Sequence, residues 1–239
     1  MTEIMTIASF DIGKKNFSFC VEEVEKNCLI EINNDVKELD KNLKPKHNKD
    51  GTNTDDFSQI LDKVYMNGEI ILHKNLDLTY DTDKKEKLDI KVLYNMNDEL
   101  DFYSDIWEKC DYVVIEQQMS FGKKINLIAI KIAQHCASYF IMKYPNINII
   151  EFPSYHKTQV LGAEKEVKKT KRGNPKFVSM SKPKRKKWAV NTCKEILENK
   201  GDLVSLERIN KSKKKDDLAD TYLQLQAFKY LYFVENNID

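Results

Sequence analysis

Residues Glu3–Gly13 read EIMTIASFDIG. The run from Ile4 to Phe10 is mostly apolar, and it predicts a buried strand that ends at Asp11, with Gly13 supplying the turn. Working outward, NFSFCVEEV (16–24) alternates between apolar and polar positions and reads as a second strand. CLIEIN (28–33) reads as a third, giving an antiparallel meander. Residues 34–92 are polar and acidic, with short apolar pieces such as EIILH and LDIKV, and read as an insertion containing some strand or hairpin. In MNDELDFYSDIWEKC (96–110), Leu100, Tyr103, Ile106, Trp107 and Cys110 fall on one helical face, with Asn97 as a candidate N-cap. YVVIEQQ (112–118) opens with a fully apolar run, the pattern of a central strand, and that run ends at Glu116. Ile125, Ile128, Ala129, Ile132, Ala133, Cys136, Phe140 and Ile141 form a long helical stripe, and NINIIEF is a strand stopped by Pro153. Trp188, Thr192, Cys193, Ile196 and Leu197 predict a further helix, and Leu218, Ala219, Tyr222 and Leu223 begin the last. The order predicts an α/β fold: a mixed sheet with helices packed on it.

Composition bounds the possibilities. The chain has 239 residues, 41% of them hydrophobic and 32% charged, enough for a sizeable core under a heavily solvated surface. The net charge of +1 identifies no partner, but its distribution is uneven. Lys165–Lys187 holds eleven Lys and Arg against the single acid Glu166, and Gly173, Pro175 and Pro183 mark it as a mobile basic loop. Five cysteines without a CxxC spacing fit reduced, buried thiols. The four histidines lack zinc-ligand spacing. Acidic Glu3 and a short apolar run argue against a signal peptide. The most apolar helix carries Lys131, Gln134 and His135, so no membrane span is expected.

The acids carry the chemical argument. Asp11 and Glu116 each end a strand, and Asp217 and Asp220 share one face of the first turns of the last helix, being three residues apart. Asp216 and Asp220, four apart, also share a face, so spacing alone leaves Asp216 open. Each acid has a plainer reading: Asp11 as turn chemistry, and Asp217 and Asp220 as favourable charges at a helix start. Glu116 is harder to dismiss, because an unpaired buried carboxylate is costly. If the two strands are neighbours and the helix crosses their edge, the four carboxylates meet. Such a density of charge persists only when protons or cations neutralise it. Oxygen-only ligands select a hard ion such as Mg²⁺. Two such ions about 4 Å apart activate water and stabilise the leaving oxygen in phosphodiester hydrolysis.

Four blocks, SFDIGKKNFSFC, VVIEQQ, SYHKTQVLGAEK and KKKDDLADTYLQ, together resemble the RuvC-type Holliday-junction resolvases, in particular their poxviral and fungal mitochondrial branch. They run from Ser9 to Gln224 in the family's order, with 34–92 unmatched. The resemblance implies one ribonuclease H-like nuclease domain over residues 1–239: a mixed five-stranded sheet with helices on both faces and an insertion after the early strands. It implies a homodimer making paired nicks across four-way DNA junctions with Mg²⁺, or Mn²⁺ in its place, two ions per site. Asp11, Glu116, Asp217 and Asp220 match the family's metal-binding acids and Lys157 its active-site lysine, while Asp216 falls outside the match.

Lys157 also makes sense on its own terms, following a strand end where it can reach a scissile phosphate, although an ordinary exposed lysine would look the same. Lys14 and Lys15 follow Asp11 closely enough to touch phosphate. Met119 and Phe121 follow the Glu116 strand, either as apolar contacts to unstacked junction bases or as the inward-packing start of a helix. The basic segment, with Lys184, Arg185, Lys186 and Lys187, is expected to contact DNA phosphates, or else to be a solvated surface. Competing classes are a ribonuclease H-like nuclease of flaps, forks or RNA–DNA hybrids, an ATP-binding protein of the actin and sugar-kinase class, and a catalytically silent DNA-binding protein. The second is disfavoured because no further Gly-rich phosphate loop is visible. The poxviral side of the resemblance implies viral DNA replication in the cytoplasm; a mitochondrial setting has less support, since no Arg- and Ser-rich presequence precedes the first strand.

Overall fold

The computed structural model describes residues 3–83, 85, 87–118 and 125–236. Its centre is a five-stranded sheet of β1 (Ile4–Asp11), β2 (Phe17–Glu25), β3 (Glu69–Leu76), β4 (Tyr112–Gln117) and β5 (Asn148–Pro153), in the order β3-β2-β1-β4-β5. β1–β2 and β2–β3 are antiparallel, whereas β1–β4 and β4–β5 are parallel, so the sheet is mixed as expected. Parallel neighbours need crossovers, and helices supply them. The helices are α1 (Lys26–Lys41), α2 (Asp55–Met66), α3 (Lys91–Asp101), α4 (Ser104–Trp107), α5 (Leu127–Lys143), α6 (Tyr155–Val160), α7 (Lys182–Lys200), α8 (Leu203–Lys211) and α9 (Lys215–Lys229), with a π-helical turn at Tyr230–Glu235.

Both faces of the sheet are covered, which is why β1 is buried from Met5 to Phe10. Met5, Ile7, Cys20, Val24 and Val114 face α1, α2, α7, α8 and α9. Ala8, Phe10, Phe19, Val113 and Ile115 face α3, α4 and α5, where Phe10 and Phe19 pack on Trp107. The two-residue period of each strand sorts its side chains between these cores. α9 is buried from Leu218 to Lys229 apart from the partly exposed Asp220, so it lies under the other helices rather than on the surface.

Three local expectations are corrected. CLIEIN is not a strand but part of α1: Leu29, Ile32, Val36 and Leu39 form one buried stripe, and the six-residue alternation was a fragment of that 3.6-residue pattern. The third strand is β3, from within 34–92; EIILH belongs to it, whereas LDIKV leads into α3, whose Val92, Met96 and Leu100 lie on one buried face. Asn97 therefore sits inside α3 and is no cap; its Oδ1 lies 3.0 Å from Nε2 of His135. The basic stretch is not a loop throughout. It forms an antiparallel ribbon of β6 (Glu166–Lys169) and β7 (Pro175–Val178), then the first turn of α7 with Pro183 where a helix tolerates proline. The sequence reading also passed over α8, which Asp202 caps by accepting from Ser205 N at 2.9 Å.

Candidate active site

Asp11 closes β1 and Glu116 lies one residue short of the end of β4. These strands are parallel, with Phe10 opposite Ile115, so their next residues, Asp11 and Glu116, leave the sheet side by side. β5 continues the same edge into α6, which carries Lys157. The first turns of α9 bring Asp217 and Asp220 from the facing layer. Together with Lys186, these five residues line a cleft of about 700 Å³.

Lys157 is the electrostatic centre. Its ammonium is 3.1 Å from Asp220 Oδ1 and 3.6 Å from Glu116 Oε1, and its side chain is only 8% exposed. Burial alone would push the ammonium down, but the carboxylates of Glu116, Asp220 and Asp11 outweigh it and hold the group above the ordinary lysine value. Asp11 is raised well above the usual carboxylate range, first by burial and then by the neighbouring Glu116. Asp217 is raised by burial and by the charge of Asp216, and Asn75 Nδ2 donates to its Oδ2 at 3.4 Å. The acids share a cleft without gathering on a point: among the described residues no three Asp, Glu, His or Cys side chains form a ready cation site. The lysine occupies the space between two of them.

The other sequence-derived candidates are placed differently. Asp216 lines a shallow depression beside Lys187 rather than the cleft and pairs with Lys186; burial raises its pKa, but the hydrogen bonds from Lys186 and the backbone together with the nearby lysine charges outweigh it and leave it low. Lys14 donates to Lys87 O at 2.7 Å, and Lys15 is exposed. Arg185 and Lys186 line the cleft, Lys184 pairs with Glu166 at 3.2 Å, and Lys187 lies in a shallow depression beside Lys213 and Lys215. Met119 and Phe121 lie outside the described residues.

Gln224 is a site residue that the sequence reading missed. Buried under the cleft, its side-chain amide donates to Ser9 Oγ at 3.1 Å, Phe10 O at 3.2 Å and Val114 O at 3.4 Å. One side chain thus straps together β1, β4 and α9, the elements that carry all four acids. Its spacing was a legible signal: Asp217, Asp220 and Gln224 stand at i, i+3 and i+7 on one helical face. His73, on β3, anchors the same helix, with Nε2 3.0 Å from Leu218 O.

Fold and site define an α/β protein with a lysine-centred carboxylate cleft at the edge of a mixed five-stranded sheet. No family model matches the chain. It is 34% identical over 255 residues to “Uncharacterized protein 170L” of Invertebrate iridescent virus 6, covering 98% of this chain and 92% of that protein. It is 29% identical over 231 residues to “Uncharacterized protein 97L” of Invertebrate iridescent virus 3, covering 93% and 98%. The chain belongs to the family of the iridescent virus 6 protein 170L. Among solved structures it is similar to the fowlpox virus Holliday junction resolvase, at a TM-score of 0.49 and 15% identity over 95% of this chain and 99% of that one. It is also similar to RuvC of Thermus thermophilus, at 0.49 and 10%, over 95% and 96%.

Proposed function

We propose that this protein is a structure-specific DNA endonuclease that resolves four-way junctions by paired, metal-dependent phosphodiester hydrolysis. One observation carries the reading: Asp11, Glu116, Asp217 and Asp220 meet Lys157 in one cleft, from elements far apart in sequence. The donor set suits a hard divalent cation, since these acids offer only oxygen. Asp11, Glu116, Asp217 and Asp220 would hold Mg²⁺, or Mn²⁺ in its place, at two ions per site. Bound there, the metal would supply charge neutralisation at the phosphate and a more acidic water.

The protein's own groups do the rest. Lys157 presents a largely buried ammonium where a phosphate oxygen would develop charge. Its acid neighbours keep it protonated and aimed. Arg185 and Lys186 on the cleft wall hold the DNA backbone, and Gln224 keeps the acid-bearing elements in register. Two symmetric nicks need two such sites, so the working unit is a homodimer. The iridescent-virus relatives support a viral setting; within it, the proposed activity would serve replication or recombination at cytoplasmic sites of viral DNA synthesis.

The test is strand-by-strand mapping of cuts on a synthetic four-way junction, beside flaps, forks and RNA–DNA hybrids. Paired cuts in Mg²⁺ or Mn²⁺ and none in EDTA are expected. Asp11→Asn and Glu116→Gln should bind the junction in Ca²⁺ without cutting it. Preference for flaps or hybrids would move the protein to another nuclease class, and cleavage by Asp11→Asn would remove that residue from the chemistry.

A further inference from the structure

The β6–β7 ribbon is exposed on both faces apart from Glu166 and Val178 at its base, and among the described residues no helix or strand of the body packs extensively on it. Val167 and Phe177 are directly paired across it and are 61% and 43% exposed. Pro175 shares their face, opposite Lys169. On the other face Lys168 stands directly opposite Lys176, a like-charge pair that destabilises a bare ribbon. Lys171 and Arg172 crowd the tip beside Gly173, whose φ of 85° makes the turn. The one acid, Glu166, is already occupied at the base by Lys184 and the backbone N–H of Ser181. A free two-stranded ribbon is marginally stable in water, so both the apolar face and the opposed lysines call for a partner. Both feet of the ribbon stand on the cleft rim, since Lys165 and Ser179 line the cleft together with Asp11 and Glu116.

We propose that this ribbon enters the major groove of a duplex DNA arm, Val167 and Phe177 toward the groove floor and Lys168 and Lys176 toward the phosphates. The proposal rests on the nuclease reading above and says which element engages the arm. The groove, about 12 Å wide and 8.5 Å deep, admits a two-stranded ribbon. Seated there, the outward Lys168 and Lys176 come level with the phosphate ridges, where the charge they carry is neutralised. The inward pair meets thymine methyls and the apolar edges of bases, contacts that a purely electrostatic clamp does not make.

The two kinds of contact separate by experiment, in Ca²⁺ so that no cutting occurs. Val167→Thr with Phe177→Thr keeps strand propensity and touches no core. It should weaken binding to a synthetic duplex and a four-way junction about ten-fold, leave the salt slope unchanged, and leave binding to heparin, a polyanion without a groove, as in the parent. Lys168→Gln with Lys176→Gln should lower the salt slope by about 2 and weaken heparin as well. Phe177→Tyr should retain duplex affinity. Parental affinity in the Val167→Thr, Phe177→Thr protein overturns the proposal. So does an equal loss on heparin, or a shift in oligomeric state by analytical ultracentrifugation, which would make the apolar pair a contact between copies. A parent chain that binds neither duplex nor junction sinks the nuclease reading itself, a different result.

Discussion

At the scale of single residues, the cleft depends on one cation and one amide. Lys157 bridges two carboxylates that would otherwise repel, so its removal touches both charge balance and chemistry. Lys157→Ala is expected to lower the cleavage rate at saturating enzyme by about 10²–10³-fold, as loss of a transition-state charge donor does, with junction Kd in Ca²⁺ nearly unchanged. A pure affinity loss would assign it to binding instead. Gln224 acts through the others. Gln224→Leu leaves Ser9 Oγ and the carbonyls of Phe10 and Val114 without this donor, at a cost of about 1–3 kcal/mol. It should lower kcat more than it raises KM, and Gln224→Glu should be worse, because a carboxylate would face two carbonyl oxygens. Unaltered kcat in Gln224→Leu would reduce the strap to ordinary packing.

At the scale of elements, α9 is held by a buried charge pair as well as by its apolar surface. Lys229 Nζ lies 2.9 Å from Glu22 Oε2 and donates to Asn67 O at 2.7 Å, while Gln226 Nε2 donates to the other Glu22 oxygen at 3.0 Å. Glu22 and Lys229 are both fully buried, and burial lowers the lysine's pKa despite the partner. Gly68 makes room for them: at its φ of 138° an added Cβ would stand 2.9 Å from Glu22 Oε2. Lys229→Met should cost about 3–5 kcal/mol, since the carboxylate stays buried, seen as a lower urea midpoint at unchanged m-value. A loss below about 1 kcal/mol would mean that Lys200, 3.8 Å away, swings in to replace it. The pair fixes where α9 lies on β2, and so where its first turns deliver Asp217 and Asp220.

At the scale of the whole molecule, His73 couples this arrangement to pH. It is buried between β3 and α9, and burial lowers its pKa to about 4, a shift that its contact with Leu218 O only partly offsets. The folded chain therefore keeps the imidazole neutral, while the unfolded chain protonates it near the ordinary value of 6.5. Stability is fully present above that value and falls as pH drops towards about 4, by about 2 kcal/mol between pH 7 and pH 5. Urea midpoints at the two pH values should show this loss in the parent and a smaller one in His73→Gln; equal losses in both would place the titration elsewhere.

The sequence alone determined the strands that end in Asp11 and Glu116, the helix that opens with Asp217 and Asp220, and the mixed α/β character of the fold, because burial on both faces and helical spacing are written locally; that the sheet has five strands was implied by the resemblance to the resolvases. It misread CLIEIN, where a six-residue window is too short to separate a period of 2 from one of 3.6, and it left EIILH as strand or hairpin in an insertion, where it is β3 of the central sheet. Only the tertiary structure decided that Lys157 stands between Glu116 and Asp220, that Gln224 ties three elements, and that Glu22 finds Lys229 207 residues away. Those are contacts between side chains distant in sequence. No local pattern encodes them, because the energy that selects them exists only once both partners have been taken out of water together.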